Sequence, residues 1–182
     1  VSGGTMYVAD NGTTRDTQIL PNGYLTLGDG GLSEETTLSS TGMMTVSSGA
    51  IGSDTLVEAG ANEIVQAGGL ESGGTVSGDL LLHGSGAKGA QISLLDSGML
   101  DVAGSAVISG LNATNGTIRV ETKAEIDDIA IQSGTLTVTS SSIVSSGSLS
   151  GSASFTLASS AFAQDLTLTS GTVTSVTGGT GV

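Results

Sequence analysis

A short unit, Gly-x-x-x-Val or Gly-x-x-x-Leu, returns roughly every nineteen residues along the chain, and no other feature restricts the fold as strongly. It reads Gly4-Thr5-Met6-Tyr7-Val8, Gly23-Tyr24-Leu25-Thr26-Leu27 and Gly42-Met43-Met44-Thr45-Val46, with later copies at Gly78–Leu82, Gly98–Val102, Gly116–Val120 and Gly134–Val138. A unit this short cannot bury a hydrophobic face by itself. Stacked on its neighbours it can, and a fixed period of this length therefore predicts a solenoid. Such a molecule offers long ladders of surface rather than one deep pocket.

The columns of the repeat give the orientation of each side chain. The last residue of each unit is apolar throughout: Val8, Leu27, Val46, Val65, Leu82, Val102, Val120, Val138, Leu157. Two residues earlier runs a second apolar column, Met6, Leu25, Met44, Leu80, Leu100, Ile118, Leu136 and Phe155. Residues two apart on a strand share a face, so both columns point inward and the residue between them points outward. That outward column holds Tyr7, Thr26, Thr45, Asp101, Arg119, Thr137 and Thr156, with an apolar step at Ile64 and Leu81.

A second strand follows about ten residues later in each repeat, as in Thr17-Gln18-Ile19-Leu20, Asp54-Thr55-Leu56-Val57 and Asp128-Ile129-Ala130-Ile131. Asn11-Gly12, Asn22-Gly23, Gly30-Gly31 and Gly68-Gly69 mark corners, where positive φ angles are needed. The prediction is an all-β, right-handed parallel β-helix of about ten rungs, a rod on the order of 45–50 Å long at roughly 4.8 Å per rung. Residues 1–182 read as one such unit. Gly-Gly repeats are regular over 1–100, and looser Ser- and Thr-rich repeats fill 101–182. The repeat is already under way at Val1, which reads as a stretch of a longer protein. One rung conflicts with the pattern: its inward slot falls on Glu63. Burying an unpaired carboxylate is costly, so a bulge or an extra corner residue near Gly60-Ala61-Asn62 is expected there.

Composition narrows the function. Seventeen acidic residues face four Lys and Arg, a formal net charge of -13, and this excludes a nucleic-acid-binding role built on clustered cations. There is no Cys, hence no disulfide and no thiolate metal site. No apolar run approaches transmembrane length. Aromatic residues make up only 2% of the chain, so the core must be built from Val, Leu, Ile, Met and Ala.

The segments Ile19-Leu20-Pro21-Asn22-Gly23-Tyr24-Leu25-Thr26-Leu27-Gly28-Asp29-Gly30-Gly31 and Thr55 to Gly69 resemble the repeats of the diffuse-adherence adhesin and antigen-43 class of bacterial autotransporters. The shared pattern is Thr-x-Val-x-x-Gly followed by a strand ending in Val-x-x-Gly-Gly, and it covers roughly the first hundred residues. The resemblance implies an extracellular passenger carried through a C-terminal outer-membrane β-barrel by type V secretion. It further implies self-association, biofilm formation and adhesion to a host-cell receptor. Several members are O-glycosylated on Ser or Thr, which adds a glycosyltransferase as partner.

Catalysis has little to rest on. His83 is the only histidine and reads as an exposed rung residue, and Arg15, Lys88, Arg119 and Lys123 are far apart in sequence. No catalytic, cofactor or metal residue is therefore expected. The acidic groups Asp29 with Glu34-Glu35, and Glu121 with Glu125 and Asp127-Asp128, read as solvated surface, since calcium needs six or more converging oxygens. Met6, Met43, Met44 and Met99 read mostly as core. The candidate interaction or glycosylation residues are those of the outward column: Thr26, Thr45, Thr137, Thr156, Ile64, Leu81, Asp101 and Arg119. Ordinary strand propensity explains any single Thr in it, whereas lateral zippering between rods, O-glycosylation and ice binding are functional readings of the whole column. The alternative class is a carbohydrate-active β-helix enzyme or a polysaccharide-binding module.

Overall fold

The computed structural model describes residues 1–158, 160–169, 173–176 and 180–181. Every described regular element is a β-strand, and every strand pairing is parallel. The chain coils as a right-handed parallel β-helix of about nine turns, as the repeat predicts.

The Gly-x-x-x-Val units form the first ladder. Thr5–Val8 lies on Tyr24–Leu27, which lies on Met43–Val46, Asn62–Gln66, Asp79–His83, Met99–Ala103 and Thr117–Val120 in turn. Register is strict, so Val8 stacks on Leu27, Leu27 on Val46 and Val46 on Val65. Both inward columns are buried apart from Met6, which is half-buried against the core.

Two further ladders close each turn where the sequence pattern suggested one strand. The second ladder is Thr13–Arg15, Leu32–Glu34, Ile51–Ser53 and Leu70–Ser72. The third is Gln18–Ile19, Thr37–Leu38, Leu56–Val57 and Thr75–Val76. From Lys88–Leu94 onward the two run together as one bent strand, continued in Val107–Ala113. The bend between them is made by one residue with positive φ on each rung: Asp16 (48°), Glu35 (55°), Asp54 (55°), Gly73 (77°), Gln91 (55°), Gly110 (77°), Asp128 (59°), Ser146 (48°) and Asp165 (53°). The left-handed region is uncommon for side chains other than Asn and Asp, so at Glu35 and Gln91 a stacked ladder on both sides is what holds the residue there.

The interior changes character along the rod. The third ladder and the first contribute apolar residues at almost every level. The second ladder and its corner do not. Their inward positions run Thr14 and Thr17, Ser33 and Thr36, Gly52 and Thr55, then Glu71 and Gly74, before turning apolar at Ile92, Ile108 and Leu111. The Thr14 and Thr17 hydroxyls hydrogen-bond each other, whereas the Thr36 and Thr55 hydroxyls are buried without a partner.

The expected bulge before Val65 is absent. Glu63 pairs in register with Met44 on one side and Leu80 on the other, and its side chain is fully buried. Its carboxyl is accommodated because a second buried glutamate, Glu71, meets it from the second ladder. Glu71 in turn occupies space vacated by Gly52, where any Cβ would collide with Glu71 Oε2. The methionines also depart from expectation. Only Met44 is fully buried, while Met43 and Met99 occupy the half-buried outer column that begins at Thr5 and Tyr24.

Candidate functional site

The first ladder presents the longest continuous outer face. Its central column is Tyr7, Thr26, Thr45, Ile64, Leu81, Asp101, Arg119, Thr137 and Thr156, each in register with the next. All the candidate residues named from sequence therefore stand in one line. Thr26, Thr45, Ile64, Leu81, Asp101, Thr137 and Thr156 are half-buried by their vertical neighbours, and Arg119 is exposed. Asp101 and Arg119 are adjacent in the column, and Asp101 Oδ1 is buried without a hydrogen-bond partner. Beside this column runs Tyr24, 46% exposed, with Met43, Asn62, Asp79 and Met99. The face is mixed, with hydroxyls towards both ends and an apolar then charged centre.

Exposed hydroxyls lie elsewhere, at turns and also on strands, as at Thr13, Ser109 and Thr135. Ser48, Ser85, Ser97, Ser105, Ser140 and Ser141 are exposed at turns, where no strand shields them. Sequence patterning drew attention to the strand threonines because they recur with the repeat. Turn residues vary in identity, which hid the turn hydroxyls.

A second surface was not visible in the sequence. The positive-φ corner draws the second and third ladders into a shallow valley along the rod. Near one end it is lined by Asp16, Gln18, Glu35, Thr37 and Asp54, and further along by Gln91, Ser93, Gly110, Asn112, Asp128 and Ala130. Each stretch encloses about 280 Å³, which falls short of an ordinary small-molecule cavity. In the first stretch three carboxylates stack on successive rungs, and the hydrogen bond and like charge of Asp16 hold the Glu35 carboxyl above its ordinary value. Beside the second stretch Ser145 and Ser146 donate to Asp127 Oδ1 at 3.0 and 2.6 Å, which lowers the Asp127 carboxyl. The acidic groups thus sort differently from their sequence neighbours. Glu34 is ion-paired to Arg15 at 2.5 Å across the second ladder, while Glu35 joins Asp16 and Asp54. His83 is exposed, stacked between Gln66 and Ala103. Among the described residues no group of three metal-ligating side chains converges.

No known family profile matches the chain, and no curated protein matches it in sequence. Among solved structures it is similar to a crystal structure of a TibC-catalysed hyper-glycosylated fragment of TibA. The TM-score is 0.57 at 20% identity, over 100% of this chain and 88% of the TibA fragment. The two share a fold. The match extends over the Ser- and Thr-rich part, where the sequence resemblance is looser.

Proposed function

We propose that residues 1–182 are a single β-helix passenger segment of an extracellular bacterial adhesin, secreted by the autotransporter route. Its role is self-association, biofilm formation and attachment to a host-cell surface receptor. The observation that carries this reading is the unbroken outer column from Thr26 to Thr156, in a fold shared with the glycosylated TibA fragment. Each rung offers one weak contact. Two rods aligned side by side repeat that contact at every level, so small energies sum through multivalency. Ile64 and Leu81 supply the apolar centre, and Asp101 with Arg119 supply the element that sets register. Sedimentation over a concentration series tests this. Wild-type protein should show concentration-dependent association, and Ile64→Lys with Leu81→Lys should abolish it. Monomeric behaviour of the wild type at all concentrations, without aggregation of cells displaying it, contradicts the reading.

Modification by a glycosyltransferase accompanies this role. The TibA fragment carries sugars added by TibC. Here the acceptors are hydroxyls of the outer surface, with the exposed turn serines ahead of the half-buried Thr26, Thr45, Thr137 and Thr156. Intact mass and peptide mapping of protein from its native host test the point: no added sugar mass removes glycosylation from the account.

The valley favours a second reading, a polysaccharide-binding module. Gly110 leaves a notch between Gln91 and Asp128, and amide, hydroxyl and carboxylate groups surround it. Asn in place of Gly110 fills that notch without a clash, since a Cβ there meets nothing closer than 3.5 Å, and although φ 77° strains any side chain, Asn and Asp bear it best, as Asp128 does on the next rung. Binding of neutral oligosaccharides that Gly110→Asn abolishes supports this second reading, and no binding by the wild type ends it.

A further inference from the structure

Glu63 and Glu71 are an anomaly that adhesion does not use. They lie on different ladders and face each other across the interior, both fully buried. Along the first ladder Glu63 is flanked by Met44 and Leu80, and along the second Glu71 is flanked by Gly52 and Gly89. Neither Glu63 oxygen, nor Glu71 Oε2, finds a hydrogen-bond partner elsewhere in the protein. Glu71 Oε1 accepts one bond from the Thr55 N–H at 3.4 Å. No cation reaches the pair. The charged groups on the strands around it are Asp79, His83 and Lys88, which stand on outward positions, and Asp54 at the corner, whose negative charge adds to the burden on Glu71.

Two ionised carboxylates cannot persist side by side in such a place. Either the site takes up a positive ion or it takes up a proton. Two carboxyl groups and the Thr55 hydroxyl fall short of the six or more oxygens that calcium requires, and the flanking residues are apolar or glycine. A proton needs only the two carboxyls: the O–H of one donates to the carboxylate of the other.

We propose that Glu63 and Glu71 are an interior proton-binding site, holding one shared proton between them at neutral pH and making rungs Met43–Val46 to Asp79–His83 a pH-sensitive joint in the rod. Burial and the neighbouring Glu71 raise the Glu63 carboxyl well above its usual range, and burial raises Glu71 too, against hydrogen bonds from Glu63 and Thr55 that favour its charged form. The pair titrates as a unit, and its loss of the shared proton places two negative charges inside the core.

The test combines infrared spectroscopy with thermal unfolding of the intact chain. At pH 7 the wild type should show one carboxylic-acid carbonyl band that Glu63→Gln removes. Its unfolding midpoint should fall by roughly 5–15 °C between pH 5 and pH 8, and that of Glu63→Gln should fall much less. Glu35→Gln is the control for the one surface carboxyl that is also raised, and it should leave the interior band in place. If Glu63→Gln does not fold, Glu63→Met, which copies Met44 below it, replaces it. Absence of the band at pH 7 overturns the proposal, as does a pH response that Glu63→Gln and Glu63→Met share with the wild type. A midpoint raised by calcium chloride in the wild type but not in Glu63→Gln, without the band, also overturns it in favour of a bound cation.

Discussion

The rungs that contain Thr14 to Glu71 and those that contain Ile108 to Val144 share a repeat, a backbone path and an outer corner, yet they fill the same interior position with different chemistry. In the first set the second ladder points Thr14, Ser33, Gly52 and Glu71 inward; in the second it points Ile108, Ile126 and Val144. The difference shows that a β-helix needs apolar residues on most of its inward columns rather than on all of them. Where the first and third ladders supply Leu25, Leu27, Ile19 and Leu38, small and polar residues suffice opposite them. Where the second ladder becomes apolar, strands merge and lengthen, as in Glu125–Val138 and Ile143–Leu157.

The largest test of this contrast is to put the chemistry of one region into the other. Ile126→Glu buries a carboxyl with no partner between Ile108 and Val144, and should destabilise by about 4 kcal/mol or more. Denaturant unfolding would read it. Tolerance of this change would mean that the two regions differ in sequence but not in demand.

The reverse exchange should stabilise. Glu63→Leu with Glu71→Met restores the Met44-to-Leu80 column and keeps the space beside Gly52 filled, and should add about 1–3 kcal/mol at pH 8. A loss of stability would assign the glutamate pair a packing role that apolar residues cannot fill.

The wild type should itself separate the regions by pH. Below the ordinary glutamate value of 4.5 the pair is protonated in both folded and unfolded chains, and its contribution is fully present. As pH rises past that value the unfolded chain ionises first, so the folded state holds more protons and stability falls. The loss is about 1.4 kcal/mol per pH unit for one proton until the raised folded value is passed. Glu63→Gln should flatten the slope.

The smallest effect concerns the corner that both regions share. Glu35→Gly removes a side chain from a backbone at φ 55° and relieves its hydrogen-bonded, like-charge contact with Asp16, and should raise the unfolding midpoint slightly, by less than any change above. The same change at Gln91, where no carboxylate ladder is involved, separates backbone relief from charge relief.

Much of this architecture was legible in the residues. The Val and Leu columns and the outer line from Thr26 to Thr156 follow from period-two alternation, and the register bears them out. Glu63 was not legible, because a carboxyl in an inward slot is costly when judged alone. Its partner Glu71 lies on Leu70–Ser72, a strand too short and too polar to show a pattern. The corner column escaped for a similar reason: Glu35 and Gln91 are poor choices for positive φ, so nothing in their identity marks a turn. The four methionines read together as mostly core, whereas the register of Met43 with Tyr24 and of Met99 with Thr117 places these two on the outer face.

The measurement that bears most directly on the division of the rod is residue-resolved hydrogen exchange at pH 6 and pH 8, corrected for intrinsic exchange rates. Amides of Met43–Val46, Asn62–Gln66, Leu70–Ser72 and Asp79–His83 should lose protection at the higher pH, while those of Val107–Ala113, Thr117–Val120 and Ile143–Leu157 keep theirs. Equal change in both sets, or none in either, would contradict an interior that is divided by the Glu63 and Glu71 pair.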